Sequence, residues 1–133
     1  MNTTEVQKIA DILIEELDIE RPVEILLTEM GFYEDGCHSF DSKSNKHFIL
    51  LSNHLFKWWS WTSVAEVLAH EMVHAKQTET QVLRYCDGQV YWNDKPYKDT
   101  WILGYWRRPW EVEARRNEKT LAKIVRNRLK EMV

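Results

Sequence analysis

The chain has 133 residues, a net charge of -3, 44% hydrophobic residues and 12% aromatic residues. This length suits a single domain over residues 1–133, and the composition excludes a disordered chain. No apolar run approaches the roughly 20 residues of a membrane span, and the N-terminus is too acidic for a signal peptide. We therefore expect a cytoplasmic monomer without a membrane partner.

The charge is distributed unevenly. Residues 1–41 contain 2 basic and 11 acidic side chains, whereas residues 105–133 contain 9 basic and 4 acidic ones. Such asymmetry can indicate a nucleic-acid surface. Here the basic residues follow a helical pattern with its own apolar stripe, so they are expected to form the solvated face of a helix or to attract the acidic first helix. A nucleic-acid partner is not expected. Cys37 and Cys86 form no C-x-x-C pair and are expected to be reduced thiols.

The first half of the chain predicts a helix followed by strands. Apolar residues recur at helical spacing over roughly Thr4 to Leu17. A strand is predicted at Val23–Leu27, then a loop or loose hairpin from Gly31 to Asn45, then a second strand at Lys46–Ser52 close to a sheet edge.

The second half predicts two long helices with a hairpin between them. Ser63 with Glu66 matches a capping box, which opens a helix running to about Gln81. Residues 89–98 read as a hairpin whose second arm, with Pro96, is an edge strand. Pro109 begins the last helix, whose apolar stripe comprises Ala114, Leu121, Ile124, Val125, Leu129 and Met132. The predicted fold class is therefore α+β, with a short mixed or antiparallel sheet.

The segment His70-Glu71-Met72-Val73-His74 has the pattern H-E-x-x-H inside the predicted helix. Residues four apart share one helix face, so His70 and His74 can offer nitrogens to a single zinc ion. Glu71 lies one step round the helix, where it can reach a metal-activated water as general base. No histidine follows His74, so the third ligand is expected to be a carboxylate on a later helix.

From Ser63 to Glu118 the chain resembles the gluzincin group of zincin metallopeptidases, in particular small single-domain members found in bacteria and phages. The resemblance rests on HEMVHAKQ and PWEVEAR, in which a Glu followed by Ala lies on the later helix. It implies a zincin-like fold, Zn²⁺ held by His70, His74 and Glu113, and support of a histidine by Asn117. It also implies a peptide or protein substrate that binds along an edge strand, here expected to be His47–Ser52.

Glu111 is the alternative third ligand, since helical periodicity alone does not separate it from Glu113. Their partners four residues on favour Glu113. Glu111 faces Arg115, an ordinary exposed ion pair, whereas Glu113 faces the neutral Asn117, which could orient a ligand. Glu118 is expected to be a surface charge.

The predicted function is a zinc metallopeptidase in which Glu71 takes a proton from water and passes it to the leaving amine. The oxyanion-stabilising residue is not set by a motif; Tyr105 is the candidate, with Tyr85, Tyr91 and Tyr97 as alternatives. Two other functions compete with this prediction. One is a zinc-binding regulatory module with little catalysis, acting through a tryptophan-rich surface made of Trp58, Trp59, Trp61, Trp101, Trp106 and Trp110. The other is a DNA-associated or repressor-cleaving protease, suggested by the basic C-terminal helix.

Overall fold

The computed structural model describes residues 2–30, 35–55, 60–98 and 104–132, with the side chains of Tyr105 and Trp106 excepted. Within these ranges the protein is a small α+β domain, as the sequence predicted, and it has two three-stranded sheets in place of the single short sheet expected. The helices are α1 (Thr3–Glu16), α2 (Trp61–Glu79), α3 (Gly104–Arg107) and α4 (Pro109–Glu131). The strands are β1 (Val23–Thr28), β2 (Gly36–Asp41), β3 (Lys46–Ser52), β4 (Leu83–Cys86), β5 (Gln89–Trp92) and β6 (Lys95–Tyr97).

The first sheet is mixed and has the order β1–β3–β2. Strand β3 runs parallel to β1 and antiparallel to β2, so it is the central strand. The prediction that Lys46–Ser52 lies close to a sheet edge is therefore wrong, and so is its expected role as the edge strand for a peptide. The edge strands are β1 and β2. Strand β2 lies in a segment predicted as loop or loose hairpin, and its sequence, GCHSFD, lacks the β-branched residues that usually indicate a strand.

The second sheet is antiparallel, with the order β4–β5–β6. Asn93 and Asp94 join β5 to β6 with φ values of 51° and 65°, as a type I′ turn requires, so the predicted hairpin is confirmed. Asp87 and Gly88 make the corresponding turn between β4 and β5, with φ values of 50° and 76°. Pro96 lies on the edge strand β6, where its missing N–H costs no ladder bond.

Helix α2 begins three residues earlier than the capping box predicted. Ser60 is the N-cap, and its hydroxyl accepts a hydrogen bond from the backbone N–H of Ser63 at 3.3 Å. Ser63 therefore lies in the first turn. The extra turn leaves the histidine pair in the middle of a 19-residue helix, where the backbone hydrogen-bond ladder fixes their spacing.

The core lies around α2, which packs against α1, α4 and one face of the first sheet. The fully buried side chains of this core include Ile9, Leu13, Ile49, Leu51, Leu68, Met72 and Val125. At the surface, Arg128 of α4 pairs with Glu15 and Glu16 of α1, each at 3.1 Å. Part of the basic C-terminal charge thus attracts the acidic first helix. In the described ranges no helix is long and apolar enough to cross a bilayer.

Candidate metal centre

Helix α2 presents His70 and His74 one turn apart at the bottom of a cavity of about 1120 Å³. Their rings meet edge to face with centroids 4.9 Å apart. The possible ligand atoms of His70, Glu71 and His74 all lie within 4.8 Å of one another. The H-E-x-x-H spacing therefore produces a compact cluster of donor atoms, as expected from its helical placement.

The carboxylate that lies against both histidines is Glu111 on α4. Its Oε1 atom is 2.9 Å from Nε2 of His70 and 3.0 Å from Nε2 of His74. Glu111 is only 7% exposed, and a carboxylate is seldom buried to this extent unless it is paired, as it is here with the two histidines. The expected placement of Glu113 beside the histidines is corrected by this geometry, because the crossing of α4 over α2 brings Glu111 to that position.

Glu113 lies one layer further out, behind Gln77. The side-chain amide of Gln77 donates to an oxygen of Glu113 at 3.1 Å and to the backbone carbonyl of Trp110 at 3.0 Å. The Oε1 atom of Gln77 is 2.8 Å from Nδ1 of His74. Because the amide nitrogen of Gln77 already donates twice, its oxygen is the acceptor, and Nδ1 of His74 carries the proton.

Glu118, expected to be a surface charge, supports His70 in the same way. Its Oε2 atom lies 2.7 Å from Nδ1 of His70. Asn117 does not take the expected orienting role, since it is exposed and its amide donates to the backbone carbonyl of Glu113 at 2.7 Å. The side chains that support the histidines are therefore Gln77 on α2 and Glu118 on α4. Asn117 is not one of them, because it lies on a face of α4 that is turned away from α2.

Both Nε2 atoms face Oε1 of Glu111 and donate hydrogen bonds to it. Because Nδ1 of each ring is held by Gln77 or Glu118, Nε2 is the nitrogen that would lose its proton to bind a metal. Two imidazoles and one carboxylate form a donor set that suits zinc. In a tetrahedral site with donors about 2.0–2.1 Å from the ion, neighbouring donors stand roughly 3.3 Å apart. The two nitrogen–oxygen distances of Glu111 are a few tenths of an ångström shorter, so a small outward movement of side chains would fit an ion. The residues present are thus compatible with a divalent metal.

The charges of the cluster stabilise one another. Burial lowers the pKa of His70, but hydrogen bonds to Glu111 and Glu118, with the charge of Glu71, outweigh burial and raise it to about 9. Burial raises the pKa of Glu111, whereas hydrogen bonds from His70 and His74 outweigh burial and lower it to about 2. For His74 the bonds to Glu111 likewise outweigh burial, and its pKa is raised. A carboxylate that stays ionised beside two imidazoles is what a metal ligand requires.

Glu71 differs from the other acidic residues of the cluster. It is 8% exposed, and burial raises its pKa, although the charges of His74 and His70 oppose this shift. The side chain of Glu71 also lies close to strand β2. A Cβ atom added to Gly36 would stand 3.3 Å from Cγ of Glu71. Burial and a raised pKa are properties of carboxyl groups that exchange protons near neutral pH.

The cavity over the cluster is bounded on one side by the edge strand β2 and on others by α2, β4 and α4. Its lining includes Gly36, His38, Phe40, Glu66, Tyr85 and Trp110. Tyr85 is 69% exposed on this wall. The other tyrosines are placed differently: Tyr91 lies under the guanidinium of Arg84 at 4.3 Å, and Tyr97 packs against Trp110. The side chain of Tyr105, the oxyanion candidate from sequence, lies outside the described residues, as do Trp58, Trp59 and Trp101 of the predicted tryptophan-rich surface.

Helical periodicity is the signal in the sequence that places Glu111 and Glu118 on the buried face of α4. At about 100° per residue, positions 111, 114, 118, 121 and 125 form one continuous face. Ala114, Leu121, Ala122 and Val125 are all buried on that face, whereas Ile124 is only partly buried. A stripe that contains Ile124 in place of Ala122 points away from Glu111, which is why the sequence prediction missed this residue.

No protein-family model matches this chain, and comparison with curated proteins and with solved structures likewise finds no match. The functional assignment must therefore rest on the geometry of the site.

Proposed function

We propose that the protein is a zinc-dependent metallopeptidase of zincin-like fold, with His70, His74 and Glu111 as the metal ligands. The observation that carries this proposal is the contact of one oxygen of Glu111 with both Nε2 atoms, at 2.9 and 3.0 Å. Glu71 is also near both histidines, but it follows His70 directly on α2 and has no such contact. We therefore assign Glu111, and not Glu113, as the third ligand.

Bound zinc would acidify a water molecule and polarise a substrate carbonyl, which is the chemistry of open three-ligand sites. Glu71 takes the proton of the attacking water on its carboxylate. It then donates that proton to the nitrogen of the leaving amine as the peptide bond breaks. Burial suits Glu71 to both steps, because desolvation raises its pKa towards the range in which a carboxyl group both accepts and releases a proton.

The peptide is proposed to lie extended along β2. This strand is at the edge of its sheet, and residues 35–40 line the cavity from one end of the strand towards the other. An edge strand offers backbone donors and acceptors to an added strand, while side-chain pockets set the preference for sequence. A peptide on β2 would pass the H-E-x-x-H segment of α2, which packs against the same strand.

Metal content and Glu71-dependent hydrolysis test the proposal together. Protein purified without chelators should contain about one zinc per chain by elemental analysis. It should hydrolyse casein or a fluorogenic peptide mixture, and Glu71→Gln should keep the zinc while losing about 10²- to 10⁴-fold of the turnover. Glu66→Gln is the matched control, since Glu66 lies on the same helix and lines the same cavity.

Each outcome assigns a different function. Protein with no metal would overturn the proposal. Zinc without any Glu71-dependent hydrolysis would instead support the zinc-binding regulatory module.

A further inference from the structure

A chain of hydrogen bonds runs from the cavity wall into the core through two histidines. His38 on β2 lines the cavity, and its Nε2 atom lies 3.0 Å from Nδ1 of His47 on β3. Nε2 of His47 lies 3.2 Å from Oε1 of Glu79 at the end of α2. His47 is fully buried, with 0% exposure. None of these three residues has a role in the proposed metal centre.

The buried end of this series of hydrogen bonds determines which nitrogen atoms donate and which accept. The carboxylate of Glu79 accepts the backbone N–H groups of Glu20 and Arg21, each at 2.8 Å. An ionised carboxylate only accepts hydrogen bonds, so Nε2 of His47 must donate to it. Nδ1 of a neutral His47 is then an acceptor, and Nε2–H of His38 donates a hydrogen bond to it.

His38 consequently has its lone pair on Nδ1. Among the described residues Nδ1 has no hydrogen-bond partner, and it is not a buried atom. Both rings are neutral at ordinary pH. Burial lowers the pKa of His47, and burial together with the charges of His47 and His74 lowers that of His38 to about 3.

The position of His38 on β2 places this acceptor on the side of the strand that faces α2. Side chains two apart on a strand share one face. Gly36, two residues earlier, pairs with Leu51 and approaches Val67 and Glu71 of α2. His38 pairs with the fully buried Ile49 and lies on the same face. A histidine at the next position along this face therefore borders the path proposed for the peptide.

We propose that His38 is a substrate-binding residue whose Nδ1 accepts an N–H hydrogen bond from the peptide, and that His47 and Glu79 are positioning residues that hold its tautomer. This inference rests on the proposed peptidase function. Peptide N–H groups lose water on entering a cleft and need acceptors there. A structural role for this chain needs only Nε2 of His38, which donates to the buried His47, and it leaves Nδ1 of His38 as an unused acceptor on a residue that lines the cavity.

Nitrogen NMR of the protein labelled with ¹⁵N-histidine tests the tautomer directly. In the Glu71→Gln protein, His38 should be protonated on Nε2 and bare on Nδ1, and a peptide cleaved by the wild type should shift the Nδ1 resonance. A His38 protonated on Nδ1, or an Nδ1 resonance unmoved at saturating peptide, would overturn the proposal. This measurement needs no substitution at His38, so it stands even if such variants fold poorly.

Kinetics of His38 variants test the binding role. Loss of one hydrogen bond predicts that His38→Phe raises KM about 5- to 10-fold and changes kcat less than about 2-fold. His38→Gln, which retains a donor for His47 and an acceptor for the cavity, should restore most of the affinity. Ser42→Ala is the control, because Ser42 is exposed in the turn that follows β2 and does not line the cavity.

The two proposals fail differently. Turnover with unchanged KM in His38→Phe would overturn the role of His38 alone. Absence of Glu71-dependent turnover in the wild type would overturn the peptidase function and this role with it.

Discussion

The side-chain oxygen of Gln77 accepts a hydrogen bond at 2.8 Å from Nδ1 of His74, three residues earlier on the same helix, so that Nε2 is the nitrogen of that ring available to a metal. The amide of Gln77 is in turn fixed by its bonds to Trp110 and Glu113 on α4. The contact between α2 and α4 therefore sets the tautomer of a proposed ligand as well as its position. Supports of this kind tune metal affinity even though they do not touch the ion.

Gln77→Met should therefore weaken metal binding while preserving the shape of the side chain. We expect zinc affinity to fall about 10- to 100-fold, because Nδ1 of His74 loses its acceptor and the ring loses its orientation. Competition with a chromophoric chelator measures this affinity. Gln81→Met, at an exposed position just beyond α2, is the control. Equal affinities in the two variants would show that Gln77 does not support the site.

Separate substitutions of Glu111 and Glu113 give the sharpest test of which residues bind the metal. Glu111→Gln should lower zinc affinity by about 100-fold or more, since the charged oxygen next to both imidazoles is lost. Glu113→Gln should have a smaller effect, of about 10-fold at most, because Glu113 acts through Gln77. Chelator competition on both variants compares them directly. Stronger loss in Glu113→Gln would return the ligand assignment to the one expected from sequence.

The sequence predicted the part of this site that depends on local structure. The spacing of His70 and His74 needs only one turn of helix, and periodicity and a nearby serine identified that helix. The turn at Asn93-Asp94 was likewise predictable from its residue types. The same signal at Asp87-Gly88 could have predicted the hairpin between β4 and β5.

The third ligand depends on how two helices cross, and that is not a local property. Glu111 and Glu113 both lie near the start of α4, and their neighbours four residues on favoured the wrong placement. On the face of α4 that carries Glu111, the small residues Ala114 and Ala122 are buried, and such residues give no strong apolar signal in the sequence. Strand β2 was missed for a related reason, because an edge strand that lines a cavity contains polar residues and glycine instead of an alternating apolar pattern.

Gly36 is required where β2 meets α2. An added Cβ would lie 3.1 Å from both the carbonyl oxygen of Leu50 and Cγ1 of Val67. We expect Gly36→Ala to lower the free energy of unfolding by about 1–3 kcal/mol, as in other overpacked contacts, because one of the neighbours is backbone and cannot rotate away. Urea denaturation measures the change, with Ser39→Ala in the same strand as control. Unchanged stability in Gly36→Ala would contradict the close approach of β2 to α2.

Glu79 ties the end of α2 to the chain just before β1, and its contribution to stability should depend on pH. Burial raises the pKa of Glu79, but the backbone N–H groups of Glu20 and Arg21 and the bond to His47 outweigh burial and lower it below its ordinary value of 4.5. The unfolded chain therefore binds this proton at a higher pH than the folded protein. The stabilisation is complete above the ordinary value and is lost as the pH falls through the lowered one.

Glu79→Gln should accordingly reduce the free energy of unfolding by about 2 kcal/mol at neutral pH, the order expected for hydrogen bonds to an ionised group. The difference from the wild type should shrink as the pH falls below 4.5 and through the lowered pKa of Glu79, where the wild-type carboxylate also becomes protonated. Denaturation curves across this range measure the difference. Glu131→Gln, at the exposed end of α4, should follow the wild type throughout. A difference between Glu79→Gln and the wild type that stays constant down to low pH would show that the ionised carboxylate is not what joins α2 to the chain before β1.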